Sequence, residues 1–181
     1  DVLDVCHRVN EQAPDTQVII AATHTHHGPD TLGLWGPDDK TCGVDAKYLS
    51  ALKDILTKVI LSSLGDNRPA RVKYTSVQVP GLVKNTRDPT ILDQSLTLAQ
   101  FSHPESGSPM ATLFNFPCHP EVLSNYNPHI TSDYPGVLRR EVEAATGAPC
   151  IFFAGAIGGM MTPDVKDHSF DEAEAMGKKL S

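Results

Sequence analysis

Three histidines crowd the stretch Ile19-Ile20-Ala21-Ala22-Thr23-His24-Thr25-His26-His27-Gly28-Pro29-Asp30, at the end of an apolar run. In an extended chain side chains alternate between faces, so His24 and His26 would project to one side and His27 to the other. Neutral imidazole is a favoured ligand for divalent zinc, and an H-x-H pair at a strand end can hold the ion. A catalytic zinc site needs about three protein ligands and an open position for water, so the pair alone is not enough. A polar loop whose histidines bond to backbone explains the same residues equally well, as does a titrating switch.

A fourth histidine shifts the balance. His119 follows the apolar run Leu113-Phe114-Asn115-Phe116-Pro117-Cys118, so it also stands where a strand should end. It would meet the first pair if the two strands are neighbours. The third chemical feature is Phe152-Phe153-Ala154-Gly155-Ala156-Ile157-Gly158-Gly159-Met160-Met161-Thr162-Pro163-Asp164. Its glycines allow close backbone approach, with N–H groups free to face an oxyanion, and Thr162 adds a hydroxyl at the edge. The same glycines also fit an ordinary strand-to-helix turn, with Thr162 a cap. The metallo-β-lactamase pattern H-x-H-x-D-H fails here, because Gly28 and Pro29 occupy the required Asp and His positions. The barrel amidohydrolases need more βα units than this length holds.

The elements that must position these residues are legible from periodicity. Val2, Val5, Cys6 and Val9 have helical spacing, and Pro14-Asp15 makes a turn before a β-rich run, Thr16 to Thr23. From Asp45 to Leu64 the residues Leu49, Leu52, Ile55, Leu56, Val59 and Ile60 form one face of an amphipathic helix suited to covering a sheet, with Gly65 as its stop. Strands are expected in Ala70 to Val79, Ser95 to Phe101, Met110 to Phe116 and Pro149 to Gly155, the middle two joined by the turn-rich Ser102 to Pro109. Helices are expected from about Ser132 or Asp133 to Thr146, where Asp133 reads as the cap, and over the final twelve residues. The alternation predicts an α/β fold, a mixed sheet layered with helices, with the metal site at strand C-terminal ends. Residues 1–181 read as a single domain, and the first and last elements look cut, so an incomplete part of a larger catalytic domain is expected.

Composition removes several classes of function. A formal net charge of -7 disfavours a nucleic-acid surface. No apolar run approaches the roughly 20 residues of a membrane-spanning helix, and no signal segment is visible. Cys6, Cys42, Cys118 and Cys150 form no C-x-x-C pair and leave the redox compartment open.

Taken in order, Ala22 to Thr31 (ATHTHHGPDT), Leu92 to Phe101 (LDQSLTLAQF), Asn115 to Leu123 (NFPCHPEVL), Thr131 to Arg140 (TSDYPGVLRR) and Phe152 to Asp164 resemble the neutral ceramidase family. These are metal-dependent amidases that cleave the N-acyl bond of ceramide. The resemblance implies that His24 and His119 are zinc ligands. It places His26 beside the metal, where it can bind substrate or stabilise developing charge. It also implies an active-site role for Arg87, in Lys84-Asn85-Thr86-Arg87, although Thr86 intervenes where the family's arginine follows its Asn directly. The family's Gly-Asp-x-Ser-Pro-Asn loop is Gly159-Met160-Met161-Thr162-Pro163-Asp164 here, with Met for Asp and Thr162 for the Ser. The family's remaining zinc ligands, a Glu and a Tyr, find no match before Ser181.

The implied activity is zinc-dependent hydrolysis of an amide, with a lipid N-acyl substrate met at a membrane surface, in a secreted or periplasmic full-length protein. These 181 residues alone are expected to be inactive. Two other functions fit the same residues: hydrolysis of a smaller N-acyl compound or an ester, and a non-catalytic ceramidase-like domain that binds a lipid or protein partner.

Overall fold

The computed structural model describes residues 1–181, which divide into two compact units: Asp1–Ala21 with Pro29–Arg68, and Ala22–Gly28 with Pro69–Ser181. The first unit is helical. Helix α1 (Val2–Asn10) buries Val5 and Val9, two residues of the stripe expected from spacing. Helix α2 (Ala46–Ser63) starts where Asp45 accepts hydrogen bonds from the Lys47 and Tyr48 amides, at 2.8 and 3.2 Å. Such a cap satisfies donors that the first helical turn cannot. Leu64–Asp66 then tightens into a 3₁₀ turn that contains Gly65. The two helices pack together, tied by Arg8 to Asp54 and by Lys53 to Asp4, at 2.7 and 2.9 Å. The apolar stripe of α2 is not buried, and Ile55 and Val59 are exposed.

The strand expected at Thr16 to Thr23 does not form, and these residues have no regular structure. Ile19 in the middle of the run is 89% exposed. An apolar β-branched run becomes a strand only when a neighbour pairs its N–H and C=O groups, and no strand pairs with this one. Sequence periodicity carries no information about that neighbour.

The second unit contains the sheet. Strands β1 (Arg71–Gln78), β3 (Ser95–Ser102), β4 (Pro109–Phe116) and β5 (Cys150–Ala154) lie in the order β1-β3-β4-β5. The first two junctions are antiparallel and the last is parallel, so the sheet is mixed as expected. The parallel step requires a crossover, and helix α3 (Asp133–Thr146) supplies it. Gly147, in the left-handed conformation at φ 68°, ends that helix and turns the chain into β5. Helix α4 (Phe170–Leu180) begins where Ser169 accepts from the Glu172 amide, and packs on α3. Gly177 makes this packing possible: a Cβ there would lie 2.5 Å from Val137 and 2.8 Å from the Tyr134 carbonyl.

Between sheet and helices lies one core, built on Phe114, Phe116, Leu123, Tyr134, Leu138, Phe152, Met176 and Leu180. Tyr134 and Phe152 meet edge to face at 5.7 Å, and the Tyr134 hydroxyl donates to the Cys118 carbonyl at 2.7 Å. A two-stranded ribbon not anticipated from sequence, β2 (Val83–Asn85) against β6 (Met161–Pro163), completes the unit. Three residues per strand are too few for alternation to register. All four cysteines are free thiols, and burial pushes Cys150 up to about 11. No helix is long and apolar enough to cross a membrane.

Candidate metal centre

His119 is placed by the core. It follows β4 after a bend at Pro117 and Cys118, and is itself buried, 7% exposed. Its backbone N–H donates to the Met161 carbonyl at 3.0 Å, and its ring Nδ1 contacts the same oxygen at 2.6 Å. A carbonyl oxygen can only accept, so Nδ1 carries the proton, and whenever the ring is neutral its Nε2 lone pair is left for another partner.

His24 and His26 arrive on the loop Ala22–Gly28. Hydrogen bonds hold this loop to the same unit: His26 N–H to the Pro120 carbonyl at 3.4 Å, Thr131 N–H to the His27 carbonyl at 3.1 Å, and Thr25 Oγ1 to the Thr131 carbonyl at 2.9 Å. His24 adopts φ 64°, a left-handed conformation that costs a non-glycine residue about 1–2 kcal/mol. The two rings do share a side, but this kinked loop brings them together instead of the alternation of a strand. His119 thus stands just after a strand, as expected from sequence, whereas no strand precedes His24.

The three rings form a near-equilateral triangle. Centroid separations are 5.3 Å for His24–His26, 5.0 Å for His24–His119 and 5.4 Å for His26–His119. One ligand nitrogen from each lies within 4.8 Å of the others. His119, far away in sequence, thus meets the H-x-H pair.

Glu121, which sequence reasoning passed over, stands against the triangle. Its Oε2 lies 2.9 Å from His26 Nδ1, and its Oε1 accepts from the Thr162 hydroxyl at 2.7 Å. A carboxylate two residues after His119, in His119-Pro120-Glu121, was the available signal. The electrostatics separate the rings. Burial and the neighbouring histidines lower the pKa of His24, whereas the hydrogen bond to Glu121 raises that of His26. Burial pushes the Glu121 carboxyl upward, but its bonds to His26 and Thr162 outweigh this and hold it below the usual range.

His27 takes no part in the triangle. It is buried, with Nε2 2.8 Å from the Ser124 carbonyl and an unpartnered Nδ1 that faces Asp133 Oδ2 at 3.9 Å. Asp133 is not the N-cap of α3, which is Ser132, but the first residue of the helix. Its oxygens accept from Tyr134 N–H at 2.7 Å and from Leu123 N–H at 3.1 Å, in a left-handed conformation of φ 55°. It joins the loop after His119 to the helix start, an arrangement the S-D-Y sequence does not reveal.

The glycine loop runs from β5 to β6, not into a helix. Gly155 N–H donates to the Phe116 carbonyl, and a Cβ at Gly155 would stand 3.0 Å from the Pro117 backbone. The Met160 and Met161 amides donate to Ile157, so these groups hold the loop's own framework. Thr162 lies opposite Lys84 on the ribbon and reaches the triangle only through Glu121. Arg87 is exposed, and only its backbone N–H is engaged, at 2.9 Å from Asn85 Oδ1.

No protein-family model matches the chain, and no curated protein matches it in sequence. Solved structures do. The neutral ceramidase from Pseudomonas aeruginosa superposes with a TM-score of 0.80 at 22% identity, over 98% of this chain and 32% of that one. The chain has a neutral ceramidase fold. A ceramidase complexed with C2 matches equally, with a TM-score of 0.80 at 21% identity and the same coverage. The chain therefore spans about a third of the length of the ceramidases it matches. This is the fold that the ordered motifs around His24, His119 and the glycine loop resemble.

The donor set fits a metal. Two of the three imidazoles have their Nδ1 protons committed to Met161 and Glu121, which leaves Nε2 free on each. Metal-bound histidines almost always have the other nitrogen tied in this way. Within the ceramidase fold this is the one group of three metal-ligating side chains that converges.

Proposed function

We propose that the chain forms the histidine half of a zinc site in a ceramidase-like amide hydrolase. The observation that carries this reading is the convergence of His24, His26 and His119 in a neutral ceramidase fold. His24 and His119 would hold the ion. Bound zinc would lower the pKa of a coordinated water to about 7 and polarise an acyl carbonyl, the chemistry that amide hydrolysis at neutral pH requires. His26, whose Nδ1–H is anchored on Glu121, presents Nε2 as the atom that takes up a proton, or donates one to a developing oxyanion once charged. Arg87 has a guanidinium free of ion pairs and would contact a polar group of the substrate, with Thr162 in the wall of the site.

The substrate class is a lipid or small-molecule N-acyl amide, met at a membrane surface in the lipid case. The full-length protein would be secreted or periplasmic. Since the chain spans a third of the matched ceramidases and shows three imidazoles, these residues alone would turn over little substrate.

The test is hydrolysis by the full-length protein of N-acyl sphingosines, short amides and esters, before and after chelation, with His24→Ala and His119→Ala. Amide cleavage that disappears on chelation and in both variants is expected. Cleavage that persists through all three would contradict the assignment. Met160 and Thr162, where the family loop carries Asp and Ser, favour a second reading in which a smaller amide or an ester is preferred. The substrate panel distinguishes the two, and stoichiometric zinc without any turnover would leave a binding domain.

A further inference from the structure

The metal reading assigns no role to Glu121, yet this side chain joins two parts of the site. From the Glu121 contacts we infer that it is a positioning residue, fixing His26 in the Nδ1–H tautomer so that Nε2 is the nitrogen offered to the His24–His119 pair. The inference rests on the proposed metal centre for its purpose, but not for its geometry.

Three observations support it. The Glu121 carboxylate has two oxygens and each has one donor: His26 Nδ1 at 2.9 Å on Oε2, and Thr162 Oγ1 at 2.7 Å on Oε1. The Thr162 hydroxyl thereby stops the carboxylate from rotating away, which a lone His–Glu contact on a half-open surface would not prevent. The His26 backbone N–H is also held, by the Pro120 carbonyl, so the ring is fixed at both ends by the segment that carries His119.

A free neutral histidine prefers its proton on Nε2, which would block the one ring nitrogen that Glu121 leaves without a partner. A carboxylate can only accept, so it reverses that preference. His119 achieves the same tautomer through the Met161 carbonyl, next in the chain to Thr162. Strand β6 thus orients two imidazoles, one by its backbone and one through Thr162 and Glu121. Thr162 accordingly works as the anchor of Glu121.

The decisive readout is the tautomer itself. In the metal-free chain at alkaline pH, ring ¹⁵N shifts should show His26 protonated on Nδ1. In Glu121→Ala the proton should move predominantly to Nε2, while zinc affinity measured by competition with a chromophoric chelator should change far less than in His24→Ala or His119→Ala, because His26 is not one of the two ligands. Glu121→Gln should keep the Nδ1–H form, because its carbonyl oxygen can accept from the ring while its amide donates to Thr162. Thr162→Val should shift the tautomer in the direction of the alanine variant, but less. An unchanged tautomer in Glu121→Ala would overturn the inference; should that variant not fold, an unchanged tautomer in Thr162→Val would do the same. If wild type binds no zinc but the tautomer moves as stated, the metal reading fails and the positioning role stands. If zinc binds and the tautomer does not move, the reverse holds.

Discussion

The two halves of the candidate centre are built in opposite ways. His119 sits on a shelf: it is buried, follows β4, and bonds twice to Met161 above a core that includes Phe116 and Tyr134. His24 and His26 sit on an exposed loop without regular structure, joined to that shelf by a few hydrogen bonds and by Glu121. The shelf is a by-product of folding, whereas the loop has a use for its left-handed His24 only if something draws the rings together. Strained residues are tolerated where the surroundings over-determine them, and they gather at functional sites. The other non-glycine residues at positive φ, Ser124, Asp133 and Met160, lie in the segments that carry or brace this centre.

If that contrast is right, disturbing the core should affect the shelf first. Phe116→Ala should cost about 3–5 kcal/mol of stability, read by denaturant unfolding, because a fully buried ring leaves a cavity. Next in size is zinc binding. His119→Ala and His24→Ala should each lower zinc affinity by more than about 100-fold, beyond the loss expected for residues that only orient a ligand. The variants should then diverge without metal. His119→Ala removes a buried ring and one of the two donors to the Met161 carbonyl and should cost about 1–3 kcal/mol, whereas His24→Ala, at an exposed site, should stay within about 0.5 kcal/mol. Equal costs in the metal-free protein would erase the distinction between shelf and loop.

Smaller effects probe the loop's attachment. Thr25→Val removes the hydroxyl that donates to Thr131 and accepts from the His27 amide at 3.3 Å. It should cost about 1 kcal/mol and speed hydrogen exchange in Ala22–Gly28 while β4 stays protected. The smallest expected effect is in titration of the metal-free protein. His24 should titrate below its ordinary 6.5, so its contribution to stability is full above that pH and is lost as pH falls. His26 should titrate above 6.5, so its contribution is full below that pH and is lost as pH rises through its folded value. Followed by proton NMR, the two curves should fall on opposite sides of 6.5; superimposed curves would show that Glu121 does not distinguish them.

Much of the sheet, β1, β3, β4 and β5, was legible because each strand has enough residues for alternation or apolar runs to show, and α3 and α4 because their apolar faces repeat. The meeting of His24 and His119 was legible only as a condition on which strands are neighbours. The failure at Thr16 to Thr23 has the same origin, since a strand depends on a partner that its own sequence does not name. Glu121 and the Met161 carbonyl escaped because their role depends on β6, a three-residue strand, and in one case on a backbone oxygen that every residue has. The role of Asp133 escaped because a carboxylate at a helix start ordinarily caps it, whereas this one is the helix's own first residue and bridges the amides of Tyr134 and Leu123.

The most direct test of the centre is the zinc stoichiometry of the purified full-length protein, by equilibrium dialysis with elemental analysis, for wild type, His24→Ala and His119→Ala. One zinc per wild-type molecule is expected and substoichiometric zinc in both variants, with circular dichroism unchanged in His24→Ala. Zinc that is absent from wild type, or retained in full by both variants, would contradict it.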